Sequence, residues 1–95
     1  MISAKEAYSL SAPNLERYRA FIDKRIREAI GAGKSRVEIR EDPYSMWLYV
    51  ESMLFDKDAV RVIKELRDLG YSVSQYYSEA QFIVDVALVI SWDKP

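Results

Sequence analysis

A chain of 95 residues with 49% hydrophobic, 31% charged and 13% aromatic side chains has the size and balance of one small soluble domain, spanning residues 1–95, with no room for two cores. Its 14 basic and 15 acidic residues leave a formal charge of -1, which argues against a general affinity for phosphate backbones or anionic lipid. Cysteine and histidine are both absent, so disulfides, the usual zinc sites, thiol nucleophiles and imidazole acid–base chemistry are excluded, and most enzyme templates with them.

The segment from Met1 to Leu10 lacks the basic start and apolar run of a secretory signal, and no apolar stretch approaches the about 18 residues of a membrane span. An intracellular protein is expected. Ser3 and Glu6 have the spacing of a capping box, which predicts a short helix from Ala4 to Leu10. After the break at Ser11-Ala12-Pro13-Asn14, the residues Leu15, Tyr18, Ile22, Ile26, Ala29 and Ile30 recur at three- and four-residue spacing. They predict one amphipathic helix, with Gly31 or Gly33 as its left-handed cap.

Arg36 to Arg40 alternates, with Val37 and Ile39 on one side, and predicts a strand with one buried face. Asp42-Pro43 turns the chain. Between Ser45 and Phe55 the signals conflict: Met46, Val50, Met53 and Leu54 suit a helix, whereas Trp47, Tyr49 and Val50 favour a strand. The expectation is a strand over Met46 to Val50. Asp56 is placed to cap a helix over Lys57 to Leu69, with Val60, Val62, Ile63, Leu66 and Leu69 as its stripe and Gly70 ending it. Tyr71 to Tyr77 and Gln81 to Trp92 read as strands joined through Ser78-Glu79-Ala80-Gln81. In the last strand Phe82, Val84, Val86, Leu88, Ile90 and Trp92 share one face, and Ile83, Asp85, Ala87, Val89 and Ser91 the other. Both faces are largely apolar, so this strand belongs inside the sheet or meets a further element or partner.

Several constellations invite a chemical reading. Gly31-Ala32-Gly33-Lys34-Ser35 has the look of a phosphate-loop end, but Glu28 stands where the pattern needs glycine, and here a helix leads into a strand rather than the reverse. A helix cap explains it. Asp56 and Asp58, with Glu51 or Asp42, are hard oxygen ligands in principle, yet acids at a helix start already complement its unpaired amides. No metal and no cofactor is expected. Asp85, isolated in an apolar strand, calls for an ion pair or an exposed face. Seven tyrosines and two tryptophans suggest either base stacking or a protein interface. Because their neighbours are mostly neutral or acidic, nucleic acid is the weaker reading. The residues selected as partner anchors are Tyr44, Trp47, Tyr49 and Phe55, with Phe21, which lies off the apolar stripe between Arg17, Arg25 and Glu28.

The order of signals is itself informative: Ile2-Ser3-Ala4-Lys5-Glu6-Ala7, a helix ending in Gly-x-Gly, Leu66-Arg67-Asp68-Leu69-Gly70-Tyr71-Ser72-Val73, and a terminal Ile90-Ser91-Trp92. It resembles a loose group of small tailed-bacteriophage proteins that share such a start, a Leu-Gly-Tyr-x-Val junction and a late Ile-Ser-Trp. The resemblance implies a phage origin and a host-cytoplasmic location, and it implies no active site.

The fold expected is α+β: a mostly antiparallel sheet of three or four strands, two main helices on one face and a short N-terminal helix. The function expected is non-catalytic binding of a host macromolecule, as an inhibitor or modulator of a host enzyme or defence system. The alternatives are a virion or assembly component and a binder of a small nucleotide-like ligand. A sheet with two apolar faces and few helices to cover them also predicts a homo-oligomer, with a dimer favoured.

Overall fold

A computed structural model describes residues 1–4, 14–49 and 56–93. The expected α+β architecture is present. Helix α1 spans Leu15–Gly31 and helix α2 Lys57–Asp68; strands β1, Arg36–Ile39, β2, Ser72–Ala80, and β3, Ile83–Ser91, form one sheet. All its pairings are antiparallel, in the order β1-β3-β2. The last strand in sequence is therefore the central one, which is one of the two placements its apolar character allowed. The expected helix from Ala4 to Leu10 falls, beyond Ala4, outside the described residues.

Both helices form for reasons visible in the sequence. The α1 stripe buries Leu15, Tyr18, Ile22, Ile26 and Ala29, while Ile30 is left 56% exposed as the helix ends. In α2 the buried residues are Ala59, Val62, Ile63 and Leu66. Val60 and Leu69 lie outside the stripe assigned to them, at 42% and 76% exposure. Asp56 caps α2, its carboxylate accepting from the amides of Asp58 and Ala59 at 3.1 Å each. Both helices stop at a glycine with positive φ, Gly33 at +75° and Gly70 at +100°. There the amides of Lys34 and Tyr71 reach back to the carbonyls of Ala29 and Leu66, the paired closure that favours glycine.

Register places Val37 and Val73 on either side of Ile90, and Ile39 opposite Leu88. These residues form the floor under the helices, and Ile39, Leu88 and Ile90 are fully buried. α1 lies over β1 and α2 over β2, and the gap above β3 is filled by a single 3-10 turn at Tyr44–Met46. This turn replaces the strand expected over Met46 to Val50, in so far as Met46–Tyr49 are described. The turn follows a cis Asp42–Pro43 bond, and Ser45 is anchored there by its amide on the Glu41 carbonyl, 3.0 Å. A ladder would leave Tyr44 and Trp47 on opposite faces; the turn sends both into one core.

The outer face of the sheet departs from the apolar surface that alternation suggested. Arg40 forks onto Asp85 at 3.0 and 3.2 Å, and Glu38 bridges Arg36 and Arg40, 3.1 Å to each. Asp85 is held below the usual carboxylate range by that guanidinium. Arg40 also lies over the Tyr76 ring, and Tyr76 stands opposite Ala87, which is fully buried. The sheet thus covers this face with its own long side chains, and the bare apolar face is not there.

The hairpin connection is shorter than expected. β2 continues through Ser78, Glu79 and Ala80, and only Gln81 and Phe82 separate Ala80 from its partner Ile83. Two-residue hairpin turns need positive φ at their first central position, and Gln81 sits there at +57°, where glycine is the favoured residue. Gln81 is exposed. Gln81→Gly is therefore expected to raise stability by about 0.5 to 1 kcal/mol, since relief of left-handed strain exceeds the added entropy of the unfolded chain. Urea unfolding checks this; an unchanged or lower midpoint would contradict the assignment of strain.

Candidate interaction surface

Two groups of aromatic side chains separate once the chain is folded. In the first, Tyr18, Tyr44 and Trp47 meet edge-to-face at centroid distances of 4.9 to 5.6 Å, and Phe21 stacks flat on Tyr44 at 4.2 Å. Tyr44 and Trp47 are 5% and 3% exposed. Burial leaves these two no surface to offer a partner in the folded chain, so their selection as anchors gives way to a packing role. Phe21 is half-buried against the same cluster: the apolar stripe of α1 is wider than the spacing suggested, because Tyr44 arrives from the 3-10 turn to cover its flank. The indole N–H of Trp47 has no acceptor among the described residues, so apolar contact holds the ring in place.

Tyr18 ties this cluster to the start of α2. Its hydroxyl donates to Asp56 Oδ2 at 2.7 Å, on the carboxylate whose other oxygen caps the helix. Burial, and then the nearby Asp56 charge, push the Tyr18 phenol from 10.0 up to about 12. Because its folded value lies above its unfolded one, the contribution is fully present below pH 10 and lost as pH rises through the folded value. Alkaline titration is expected to destabilise the protein progressively above about pH 10, with a shallower fall in Tyr18→Phe. Equal slopes in the two proteins would show that Tyr18 does not carry the effect.

The second group lies at the far end of the β2–β3 hairpin. Tyr76 and Tyr77 are 40% and 45% exposed, and Phe82, Ile83 and Val84 are 102%, 72% and 54% exposed. β1 pairs with β3 only from Leu88 to Ser91, so Ile83 to Ala87 project past it. Tyr49 belongs to this end: it is half-buried and stacks on Tyr77 at 5.5 Å with 12° between the rings. Of the anchors selected from sequence, Tyr49 alone reaches this surface among the described residues, and Phe55 lies outside them. Phe82, Ile83 and Val84 were missed because alternation assigned them to a core strand. The signal that marks them is position: they adjoin the turn, where neither helix reaches.

A third feature is an open groove of about 910 Å³ between the C-terminal end of α1 and β1. Its lining includes Arg25, Arg36 and Arg40, but no aromatic side chain. Each of these arginines already meets an acid, Arg25 at Glu41 and the other two at Glu38. The groove therefore offers neither a stacking platform nor an uncompensated guanidinium. Among the described residues no group of three or more acidic, histidine or cysteine side chains is arranged to hold a metal ion, and no helix is long and apolar enough to cross a membrane.

Comparison with protein-family models, with curated proteins and with solved structures found no match to this chain. The fold and surface define a small α+β domain with a projecting apolar hairpin.

The packing role of Trp47 has a direct check. Trp47→Ala is expected to cost about 3 to 5 kcal/mol, the range for emptying a buried aromatic site. Chemical denaturation with an unchanged midpoint would return Trp47 to the surface.

Proposed function

We propose that this chain is a small non-catalytic binding protein whose contact surface is the distal half of the β2–β3 hairpin. The observation that carries this reading is the run Phe82, Ile83, Val84, exposed at 102%, 72% and 54%. Three consecutive large apolar side chains at the tip of a hairpin wrap both of its faces, an exposure of the kind that marks interaction sites. The adjoining Tyr76 and Tyr77 supply broad rings with a polar end, a side-chain type enriched in protein interfaces.

The resemblance to small tailed-phage proteins extends the reading: a phage-encoded protein acting in the host cytoplasm, where it blocks or modulates a host enzyme or defence factor by occupying one of its surfaces. Absence of histidine and cysteine supports binding over catalysis. Pairing of the outer-face arginines with Glu38 and Asp85 supports a protein partner over nucleic acid, which needs uncompensated positive charge. The groove beside β1, without an aromatic lining, gives the small-ligand alternative little support. The virion or assembly alternative is favoured by one feature, a strand edge beside the patch with which no strand pairs among the described residues.

Phe82→Ser combined with Ile83→Ser tests the reading. Both side chains are exposed, so the melting temperature is expected to stay within a few degrees, while capture of a partner from host lysate falls at least about tenfold, as for loss of interface anchors. Capture that survives the double substitution would move the contact surface elsewhere.

A further inference from the structure

We infer that the edge of β2 left unpaired among the described residues pairs antiparallel with the same edge of a second copy, Tyr76 facing the partner's Tyr76, to join two three-stranded sheets into one of six. This rests on the binding reading of the hairpin and adds a second copy of the chain at its β2 edge.

The direction of the backbone groups comes first. The Trp92 amide donates to the Ser35 carbonyl at 3.0 Å, so the even-numbered residues of β3 direct their N–H and C=O groups toward the β1 side and the odd-numbered ones toward β2. Through the register, Ser72, Ser74, Tyr76, Ser78 and Ala80 answer them from β2. Val73, Gln75, Tyr77 and Glu79 consequently face outward, where no strand pairs with β2 among the described residues. Arg67 shows the same geometry, its Nη2 donating to the Val73 carbonyl from outside the sheet at 2.9 Å. An edge with four outward-facing residues, Glu79 its one charge and no proline is a template for another strand.

The identity of that strand follows from self-complementarity. A two-fold axis at Tyr76 sets Gln75 opposite the partner's Tyr77, and Val73 opposite the partner's Glu79. Gln75 and Tyr77 then exchange backbone bonds with the partner's Tyr77 and the partner's Gln75, while the Val73 carbonyl keeps its bond from Arg67. Val73 and Glu79 lie on the helix-bearing face, and Arg67 reaches Val73 from that side, so its guanidinium meets the carboxylate of the partner's Glu79. No ion pair of Arg67 is formed within the described chain. The two-fold makes this charge match twice. The same register carries the turn residue Phe82 towards the α2–β2 junction of the other copy, where Leu69 is 76% exposed. Phe82 and Leu69 are thus spaced to meet each other reciprocally, which is what an interface using one patch on both subunits requires.

Sedimentation equilibrium of the full chain over a micromolar to submillimolar range tests the inference. The wild type is expected at twice 11.1 kDa. Glu79→Arg and Arg67→Glu, each of which sets like charges opposite each other twice, are expected to weaken self-association at least about tenfold. An equimolar mixture of the two variants restores both attractions and is expected to form a heterodimer, a result that misfolding of either variant cannot produce. A second variant, Glu79→Pro, removes an amide that faces away from β3 and is expected to give a folded monomer by circular dichroism. A wild type that stays at 11.1 kDa throughout, single variants that dimerise as well as the wild type, or a mixture that stays monomeric would each overturn the inference. A monomer whose capture of a different protein still depends on Phe82 would overturn the dimer and leave the binding reading standing.

Discussion

Everything in this fold depends on how much of β3 the helices cover. A nine-residue strand runs about 30 Å, whereas a twelve-residue helix such as α2 runs about 18 Å, and β1 supplies only four residues of pairing. One end of β3 is therefore enclosed on both edges and under the helices, with Leu88 and Ile90 fully buried. The other end has β2 beside it and little above it. The same strand is core at one end and contact surface at the other, and nothing in its own composition changes along the way.

Among the described residues, the enclosed end is closed by a plug rather than by a third helix or a fourth strand. Tyr44 and Trp47 descend from a short turn into the gap between α1 and α2 and meet Tyr18 edge-to-face. Gln75 fastens the turn from below, its amide nitrogen donating to the Ser45 carbonyl at 2.9 Å and to the Ala87 carbonyl at 3.0 Å. Asp56 ties the start of α2 to Tyr18, against which the plug packs. Arg19 and Glu65 then link the two helices across their outer surface, Nε to Oε2 at 2.9 Å, and the guanidinium holds Glu65 below the usual carboxylate range. This last pair is part-exposed, so its weight in stability is small beside the aromatic packing.

Exposure at the distal end gives the proposed binding role its physical basis. An apolar tip and an uncapped edge are a liability for a solitary domain, and proteins usually blunt such edges with charge, proline or a covering element. Here Arg67 blunts one position, at Val73. The remaining edge is matched to its own reverse, which is why self-pairing and hairpin-mediated recognition use the same residues. If the pair forms, a foreign partner sees Val84 and the far side of the tip rather than the β2 edge.

Sequence by itself determined both main helices with their glycine stops and the Asp56 cap, and it narrowed Asp85 to an ion pair or an exposed face and β3 to the sheet interior or a partnered face. Each rests on periodicity or on the cost of a lone charge, which are local properties of the chain. It misplaced what depends on which neighbours arrive. Met46 to Val50 read as a strand because Trp47 and Tyr49 favour extended backbone, but the gap over β3 has room for one turn, and burial of Trp47 outweighs that propensity. Phe21 read as exposed because the residue that covers it, Tyr44, is 23 positions away in the sequence. Phe82, Ile83 and Val84 read as core because alternation records which face a side chain takes and not whether anything lies above that face. Only the tertiary structure fixes the lengths of the covering elements, and those lengths decide which apolar residues of this chain are buried and which remain for a partner.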